Sequence, residues 1–413
     1  MTNGPLYGFR ALDLTDEKGV FCGKILTDLG VDVIKVEKPG GDPMRNIPPF
    51  YHDETDQEKS LYWFAFNVNK KSITLNLKTG QGQDLFRRLV ERVDFVIESF
   101  PPGYMDKLGL GYENLKKIDP QIIMTSITFF GQSGPYSGFK ASDLVLQSLG
   151  VLMHQFGDPD RAPVRISAPQ AFMHAGADAA EGTMVAHYYR GATGEGQHID
   201  VSAMESVAWS THNFLPPWDA SKTAVQRTGT SMTASGFKTP NIWKCKDGYV
   251  SFTTFGGFVG ARNNSALTEW MDGEQMAPGF MKEKDWENWD WNQTTQAELD
   301  SIFKAIALFF ENHTKEELQE GAIKRDIMLY SVCNPEDMAN NVQLRARDFW
   351  VNIEDSELSD TITYPGPFAK FSHTPIESWR RAPRIGEHNN DIYVEELGLS
   401  KDQFASLKAE GII

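Results

Sequence analysis

The chain has 413 residues, of which 40% are hydrophobic and 23% are charged, and its formal net charge at pH 7 is −16. This length indicates two or three domains with ample core. The acidic balance argues against nucleic acid or an anionic membrane surface as the main partner, because both require basic patches. Three widely spaced cysteines form no metal or redox motif, and no signal peptide or membrane-length apolar run is present. We therefore expect a soluble cytoplasmic protein without a metal.

Short β-like runs alternate with helical ones over the first 130 residues. We predict strands over residues 9–15, 31–37, 72–77, 94–99 and 122–130, with helices over residues 18–29 and 80–91. Strand and helix in repeated alternation predict an α/β fold with a parallel, doubly wound sheet. Because no GxGxxG motif follows the first strand, dinucleotide binding is not predicted.

A helix rich in alanine and glycine is predicted over residues 169–189. Its small residues recur at helical spacing, which lets the backbone pack very close to its neighbours. We predict that a glycine-rich turn over residues 191–196 ends it and leads into a short strand over residues 198–202.

The character of the sequence changes after residue 205. Residues 239–254 predict two strands around a Lys-Asp-Gly turn, and residues 298–325 predict two helices, the second starting with a capping box of Thr314 and Glu317. We assign residues 1–224 to the N-terminal part of a Rossmann-like large domain, 225–330 to a smaller α+β domain, and 331–413 to a C-terminal return to the large domain, mostly loops with a final helix over residues 401–410. Tryptophans of the smaller domain are predicted to pack it or an interface rather than to bind an aromatic substrate; they are Trp270, Trp286, Trp289 and Trp291.

Seven motifs, taken in order, resemble the class III CoA-transferase family, which includes formyl-CoA and carnitine CoA-transferases and α-methylacyl-CoA racemases. They are LDLT (12–15), DLGVDVIKVEKPGGDPMR (28–45), NKKSITLNLKTGQG (69–82), FGQSGPYSGF (130–139), RGATGEGQHIDVS (190–202), QLRAR (343–347) and PRIGEHN (383–389). The resemblance implies a ring-like chain that interlocks with a second copy in a dimer. It also implies a large Rossmann-like domain that is built from both termini.

The resemblance further implies where coenzyme A (CoA), the cofactor portion of the thioester substrate, would lie. The matching positions here are Lys38, Leu75, Lys78, Ser99, Phe100, Lys107 and Lys140. Four ammonium groups suit the phosphates of CoA in an otherwise acidic protein. The alternative is that these lysines are solvated surface charges, since exposure is the default for lysine.

Catalysis in the resembled family depends on an aspartate at the start of the small-residue helix, whose carboxylate attacks the acyl-CoA thioester. Counting from Gly176 and from Arg190 by the family spacing places Phe172 at that position. A phenyl ring cannot attack a thioester. The fallback carboxylate, Asp178, lies six residues further on and about 240° round the helix. We therefore expect no catalytic residue in this chain.

A second departure follows the first strand, where the family usually has a small residue before Gly-Pro. Here Lys18 replaces the small residue and Val20 the proline, and Glu17 stands where many members are uncharged. Lys18 either fills the CoA channel or binds a phosphate. Racemase activity is not expected, because the histidine of that branch is replaced in Ser142-Asp143.

Within the family, residues 169–183 are similar to the non-catalytic subunits of heteromeric succinyl-CoA:benzylsuccinate CoA-transferases. That similarity implies a homologous catalytic partner subunit carrying the aspartate. The implied reaction is CoA transfer from succinyl-CoA to (R)-2-benzylsuccinate in anaerobic toluene degradation. Two alternatives stay open: an active homodimeric CoA-transferase that uses Asp178 or Glu17 on another carboxylic acid, and a non-enzymatic CoA-binding or scaffold protein.

Overall fold

A computed structural model describes residues 4–234 and 236–413 of the chain. They divide into two compact units. The larger contains the described residues up to Met153, together with Arg165–Thr223 and Leu344–Ile413; the smaller contains His154–Val164 and the described part of Ala224–Gln343. Residues 154–164 and 331–343, which the sequence assigns to the large domain, thus belong to the smaller unit.

The larger unit is built on a six-stranded parallel sheet with the order β3-β2-β1-β4-β5-β6. The strands are β1 (Arg10–Leu14), β2 (Asp32–Glu37), β3 (Lys71–Thr74), β4 (Phe95–Glu98), β5 (Ile123–Thr128) and β6 (His198–Ser202). This is the strand order of doubly wound nucleotide-binding folds, and it reverses direction between β1 and β4. The α/β class that the alternating pattern predicts is therefore confirmed.

Helices cover both faces of this sheet, as the buried, continuously apolar strands require. The helices of this unit between β1 and residue 221 are α1 (Val20–Asp28), α2 (Leu61–Asn67), α3 (Gly80–Val90), α4 (Tyr104–Lys107), α5 (Tyr112–Ile118), α6 (Asp143–Leu149), α7 (Gln170–Thr193), α8 (Ala203–Ser210) and α9 (Leu215–Ser221). Short 3-10 turns occupy Pro43–Asn46, Tyr51–Asp53, Leu152–Gln155 and His212–Phe214.

The small-residue helix α7 is longer than its sequence predicts. It continues through Arg190 to Thr193, so the predicted turn at Gly191 is wrong, and the chain leaves the helix at Gly194 with φ 78°. Arg190 is nearly buried, and its guanidinium donates to the backbone carbonyls of Asp94 and Gln121. These bonds anchor the last turns of α7 to the sheet, which outweighs the local preference of glycine for a turn.

The smaller unit packs its helices around a three-stranded sheet with the order β11-β10-β9. Its elements are β7 (Ser231–Ala234), β8 (Phe237–Pro240), β9 (Ile242–Cys245), β10 (Gly248–Phe252), α10 (Gly257–Gly273), α11 (Gly279–Lys282), a 3-10 turn (Trp291–Gln293), α12 (Gln296–Glu311), α13 (Lys315–Arg325), β11 (Leu329–Ser331) and α14 (Pro335–Ala339), followed by α15 (Val342–Ala346), which spans the unit boundary. The predicted capping box of Thr314 and Glu317 is confirmed. All four tryptophans named above lie in the core of this unit, as the packing interpretation predicts.

The C-terminal return to the larger unit contains more structure than the loops predicted for it. Its elements are the antiparallel strands β12 (Trp350–Asp355) and β13 (Asp360–Pro365), a π-helix (Asn390–Glu396) and α16 (Lys401–Ala409). In the part of the chain that the structure describes, no helix is both long and apolar enough to span a membrane.

Candidate active site

A cavity of about 270 Å³ lies in the larger unit at the carboxyl ends of its strands, where the strand order reverses. In open α/β sheets this edge is the usual place for a ligand. Five of the seven positions predicted to bind CoA line this cavity together: Lys38, Leu75, Lys78, Ser99 and Phe100. They follow β2, β3 and β4, so they meet only because parallel strands end at the same edge. The volume suits one part of a ligand as large as CoA rather than the whole.

The two lysines of the cavity are well placed to meet an anion. Lys38 and Lys78 are both exposed, so their ammonium groups are accessible to a ligand in the cavity. Lys107, at the end of α4, and Lys140, in the loop before α6, are also exposed. Neither of these belongs to the cavity wall. The structure thus brings two of the four predicted lysines to the cavity and leaves the other two outside it.

The loop after β1 closes one side of the cavity and is fixed to the loop after β4. The backbone N–H of Asp16 donates to Ser99 Oγ at 2.8 Å, and the Ser99 hydroxyl donates back to Asp16 Oδ1 at 2.8 Å. The ammonium of Lys18 pairs with the Asp16 carboxylate and lies 5.3 Å from the ring centroid of Phe129. Lys18 is not part of the cavity wall. The positive charge of Lys18 is therefore paired with the carboxylate of Asp16, in the same loop.

Phe172 lies in the first turn of α7 and is only 4% exposed. Its ring centroid is 6.3 Å from that of Phe129, so the two rings form an apolar contact beside Lys18. The first turn of α7 is held by Asp143, whose carboxylate accepts the N–H of Ala171 at 2.8 Å. No part of the Phe172 side chain can act as a nucleophile.

Two carboxylates remain near this position. Asp178 is half-buried, further along α7 and on a different face from Phe172. Glu17 is exposed, and the partial loss of solvent around its carboxylate together with the charge of Asp16 raises its pKa above the ordinary value. The charge of Asp143 makes a smaller contribution in the same direction.

Sequence reasoning misses the buried acid Glu98, which ends β4 beneath the Ser99–Phe100 wall. It is 3% exposed, and it accepts the backbone N–H of Phe100 at 2.6 Å and the hydroxyl of Ser126. Burial raises the pKa of Glu98 to about 7. An acidic residue that closes an otherwise apolar strand is the only signal in the sequence that points to it. Among the residues that the structure describes, no group of three or more His, Cys, Asp or Glu side chains is placed to hold a metal ion.

Comparison with known proteins gives one consistent result. The family model described as CoA-transferase family III matches residues 6–389. Succinyl-CoA:(R)-benzylsuccinate CoA-transferase subunit BbsE of Thauera aromatica is 32% identical over 392 residues, which cover 94% of this chain and 93% of that protein. Succinyl-CoA–D-citramalate CoA-transferase of Chloroflexus aurantiacus is 31% identical and covers 99% of this chain and 98% of its own. A crystal structure of a CaiB/BaiF family protein from Brucella suis matches with a TM-score of 0.81 at 28% identity, over 95% of this chain and 99% of that one.

Proposed function

The chain belongs to CoA-transferase family III, and from this premise we propose that it is the non-catalytic subunit of a heteromeric CoA-transferase. The observation that carries the proposal is Phe172, a buried phenyl ring where the family spacing expects the acyl-carrying aspartate. The scaffold around it is retained, including the cavity at the sheet edge and the tightly packed helix α7.

The chemistry that the family implies needs a carboxylate at this position. The carboxylate oxygen attacks the thioester carbonyl and the CoA thiolate leaves, so the acyl group is held as a mixed anhydride. The thiolate then attacks the aspartyl carbonyl, which frees the first acid and leaves an aspartyl-CoA thioester. The carboxylate of the acceptor acid attacks this thioester and expels the CoA thiolate, which then attacks the acceptor carbonyl, giving the acceptor CoA thioester and releasing the aspartate. We propose that the aspartate of a homologous partner performs these steps and that this chain supplies none of the covalent chemistry.

The names of the relatives support succinyl-CoA as the CoA donor. The names of four relatives contain succinyl-CoA, and the other substrates in those names are benzylsuccinate, D-citramalate, mesaconate and L-malate. We propose a dicarboxylic acid as acceptor and, from the similarity to BbsE, (R)-2-benzylsuccinate in anaerobic toluene degradation. The cavity with Lys38 and Lys78 is the proposed site for the phosphates of CoA.

An apolar face of the larger unit supports a partner chain. A second cavity, of about 600 Å³, lies between α1, α2, α7 and residues 349–368, and most of its lining is apolar. On α7 the face continues past Met184 to Val185 and Tyr188, which are 62% and 83% exposed. An exposed apolar surface of this extent is typical of a protein interface. Two relatives are named as subunits, which fits a homologous chain as the occupant.

The proposal is tested by purifying the tagged chain from its native host and assaying transfer from succinyl-CoA to benzylsuccinate. We expect a homologue with aspartate at the position of Phe172 to co-purify. We also expect activity in the complex and none in the chain alone. Full activity of the chain alone would refute the proposal, and an inactive chain with no homologous partner would favour a scaffold role.

One observation favours a second candidate, an active homomeric CoA-transferase. Glu17 is an exposed carboxylate in the loop after β1, and partial loss of solvent together with the charges of Asp16 and Asp143 raises its pKa above the ordinary value. If Glu17 were the nucleophile, the chain alone would transfer CoA and Glu17→Gln would abolish that activity. A Glu17→Gln variant that leaves the activity of the complex intact would remove this candidate.

A further inference from the structure

The middle of β2 carries a lysine that is entirely buried beneath the candidate CoA cavity. The Lys35 ammonium donates to the carbonyl oxygen of Thr15 and lies 3.4 Å from Asp13 Oδ1 and 3.5 Å from Asp42 Oδ2. Burial alone lowers the pKa of Lys35, but the nearby carboxylates of Asp13 and Asp42 outweigh it, so the pKa lies above its ordinary value. The group therefore stays charged at neutral pH.

Two of these acceptors belong to the loops that form the cavity wall. Thr15 follows β1 and Asp42 follows β2, and both line the cavity. Thr15 is further fixed because its N–H and its hydroxyl both donate to Asp13 Oδ1, at 2.9 and 2.6 Å. Asp42 is fixed because its N–H donates to Glu37 Oε2 at 2.8 Å. The Lys35 ammonium therefore contacts both loops from beneath the cavity.

A third loop is joined to this arrangement through the residue after Thr15. Asp16 exchanges two hydrogen bonds with Ser99, which follows β4 and also lines the cavity. The Lys35 ammonium therefore connects three wall segments: the loop after β1 through the Thr15 carbonyl, the loop after β2 through Asp42, and the loop after β4 through Asp16 and Ser99. A binding site whose walls come from separate loops needs such support to keep its geometry.

We propose that Lys35 is the positioning residue of the CoA site: it does not touch the ligand but holds the loops after β1 and β2 at the separation in which CoA is bound. The proposal rests on the proposed function in taking CoA as the ligand of this cavity.

Lys70 provides a matched control. It is buried to the same extent and pairs with the same carboxylate, with its ammonium 2.8 Å from Asp13 Oδ2. Its second acceptor is the carbonyl of Val20 in α1, and Lys70 does not line the cavity. Removing either ammonium deprives Asp13 of one buried positive partner. Only the loss of the Lys35 ammonium also removes contacts with the cavity loops.

The test compares Lys35→Met with Lys70→Met in the purified full-length chain. CoA affinity is measured by calorimetry, stability by urea unfolding, and loop mobility by hydrogen exchange over residues 15–19 and 38–44. We expect both variants to unfold at lower urea concentration. Only Lys35→Met should lose at least tenfold in CoA affinity and exchange faster in both loops, and Lys35→Arg should recover part of the affinity.

Unchanged CoA affinity in Lys35→Met, or an equal loss in Lys70→Met, would overturn the proposal. If Lys35→Met does not fold, Lys35→Met/Asp42→Asn removes both charges and retains an acceptor for the N–H of Met44, which Asp42 now binds; the same losses are expected. If the unaltered chain binds no CoA, the proposed ligand is wrong. In that case hydrogen exchange alone tests the role of Lys35. Unchanged exchange rates in the two loops of Lys35→Met would overturn its positioning role.

Discussion

Replacing Gly176 by alanine tests how closely α7 packs on α1. A Cβ at this position would stand 2.7 Å from Phe21 Cβ and 3.1 Å from the backbone nitrogen of Cys22. Both atoms are attached to or part of the α1 backbone, so α1 itself must shift. Overpacking of this kind costs about 1–3 kcal/mol, whereas removing a glycine from a helix gains about 0.5–1 kcal/mol. The difference is a net loss of roughly 0–2.5 kcal/mol, and we expect a loss of about 1 kcal/mol in the free energy of unfolding.

The same helix provides the control. A Cβ at Gly191 meets no atom within 4 Å, so Gly191→Ala should gain about 0.5–1 kcal/mol through helix propensity alone. Urea unfolding followed by circular dichroism measures both variants, and the two shifts should have opposite signs. Equal stabilisation of both would show that α1 yields without cost and would refute the reasoning. Because α1 follows directly on the loop that carries Lys18, a shifted α1 should also disturb that loop.

The remaining predictions concern the site. Phe172→Leu should leave turnover of the heteromeric complex nearly intact, while replacing the partner's aspartate should abolish it; lost turnover in a correctly assembled Phe172→Leu complex would contradict the non-catalytic role. Lys78→Ala should weaken CoA binding several-fold in a calorimetric titration and Lys107→Ala should not, because only Lys78 lines the cavity; equal losses would place Lys107 at the ligand. The raised pKa of Glu98 means that the folded protein holds the proton of this carboxyl more tightly than the unfolded chain. The stability that this proton contributes, on the order of 3 kcal/mol, is present below the ordinary pKa of 4.5 and is lost as pH rises through about 7. Unfolding at pH 5 and pH 8 should show a smaller difference for Glu98→Gln than for the unaltered chain, and an unchanged difference would count against this assignment.

The strands of the sheet could be predicted because their residues carry the signal themselves. β2 is continuously apolar and β-branched apart from its lysine and its terminal acids, which is typical of a strand buried on both faces. The end of α7 could not be predicted in this way. Gly191 favours a turn locally, whereas the bonds of Arg190 to Asp94 and Gln121, in distant segments, hold this end of the helix in place.

The residues of the candidate site likewise include some that the sequence predicts and some that it does not. The family spacing is a local count, so the sequence leads directly to Phe172. The burial of Lys35, Lys70 and Glu98 could not be predicted. A charged residue in or beside a strand is expected to be exposed unless a partner that is buried with it is known. For Lys70 that partner is Asp13, which is 57 residues away in sequence.

The sequence by itself determined the family, the parallel α/β architecture and the absence of a carboxylate at position 172. These follow from periodicity and spacing, which act over a few residues at a time. Only the tertiary structure decided that Lys38 and Lys78 share a cavity while Lys107 and Lys140 lie outside it. Such a cavity exists only where loops from several strands converge, and their separation depends on contacts between residues far apart in the chain.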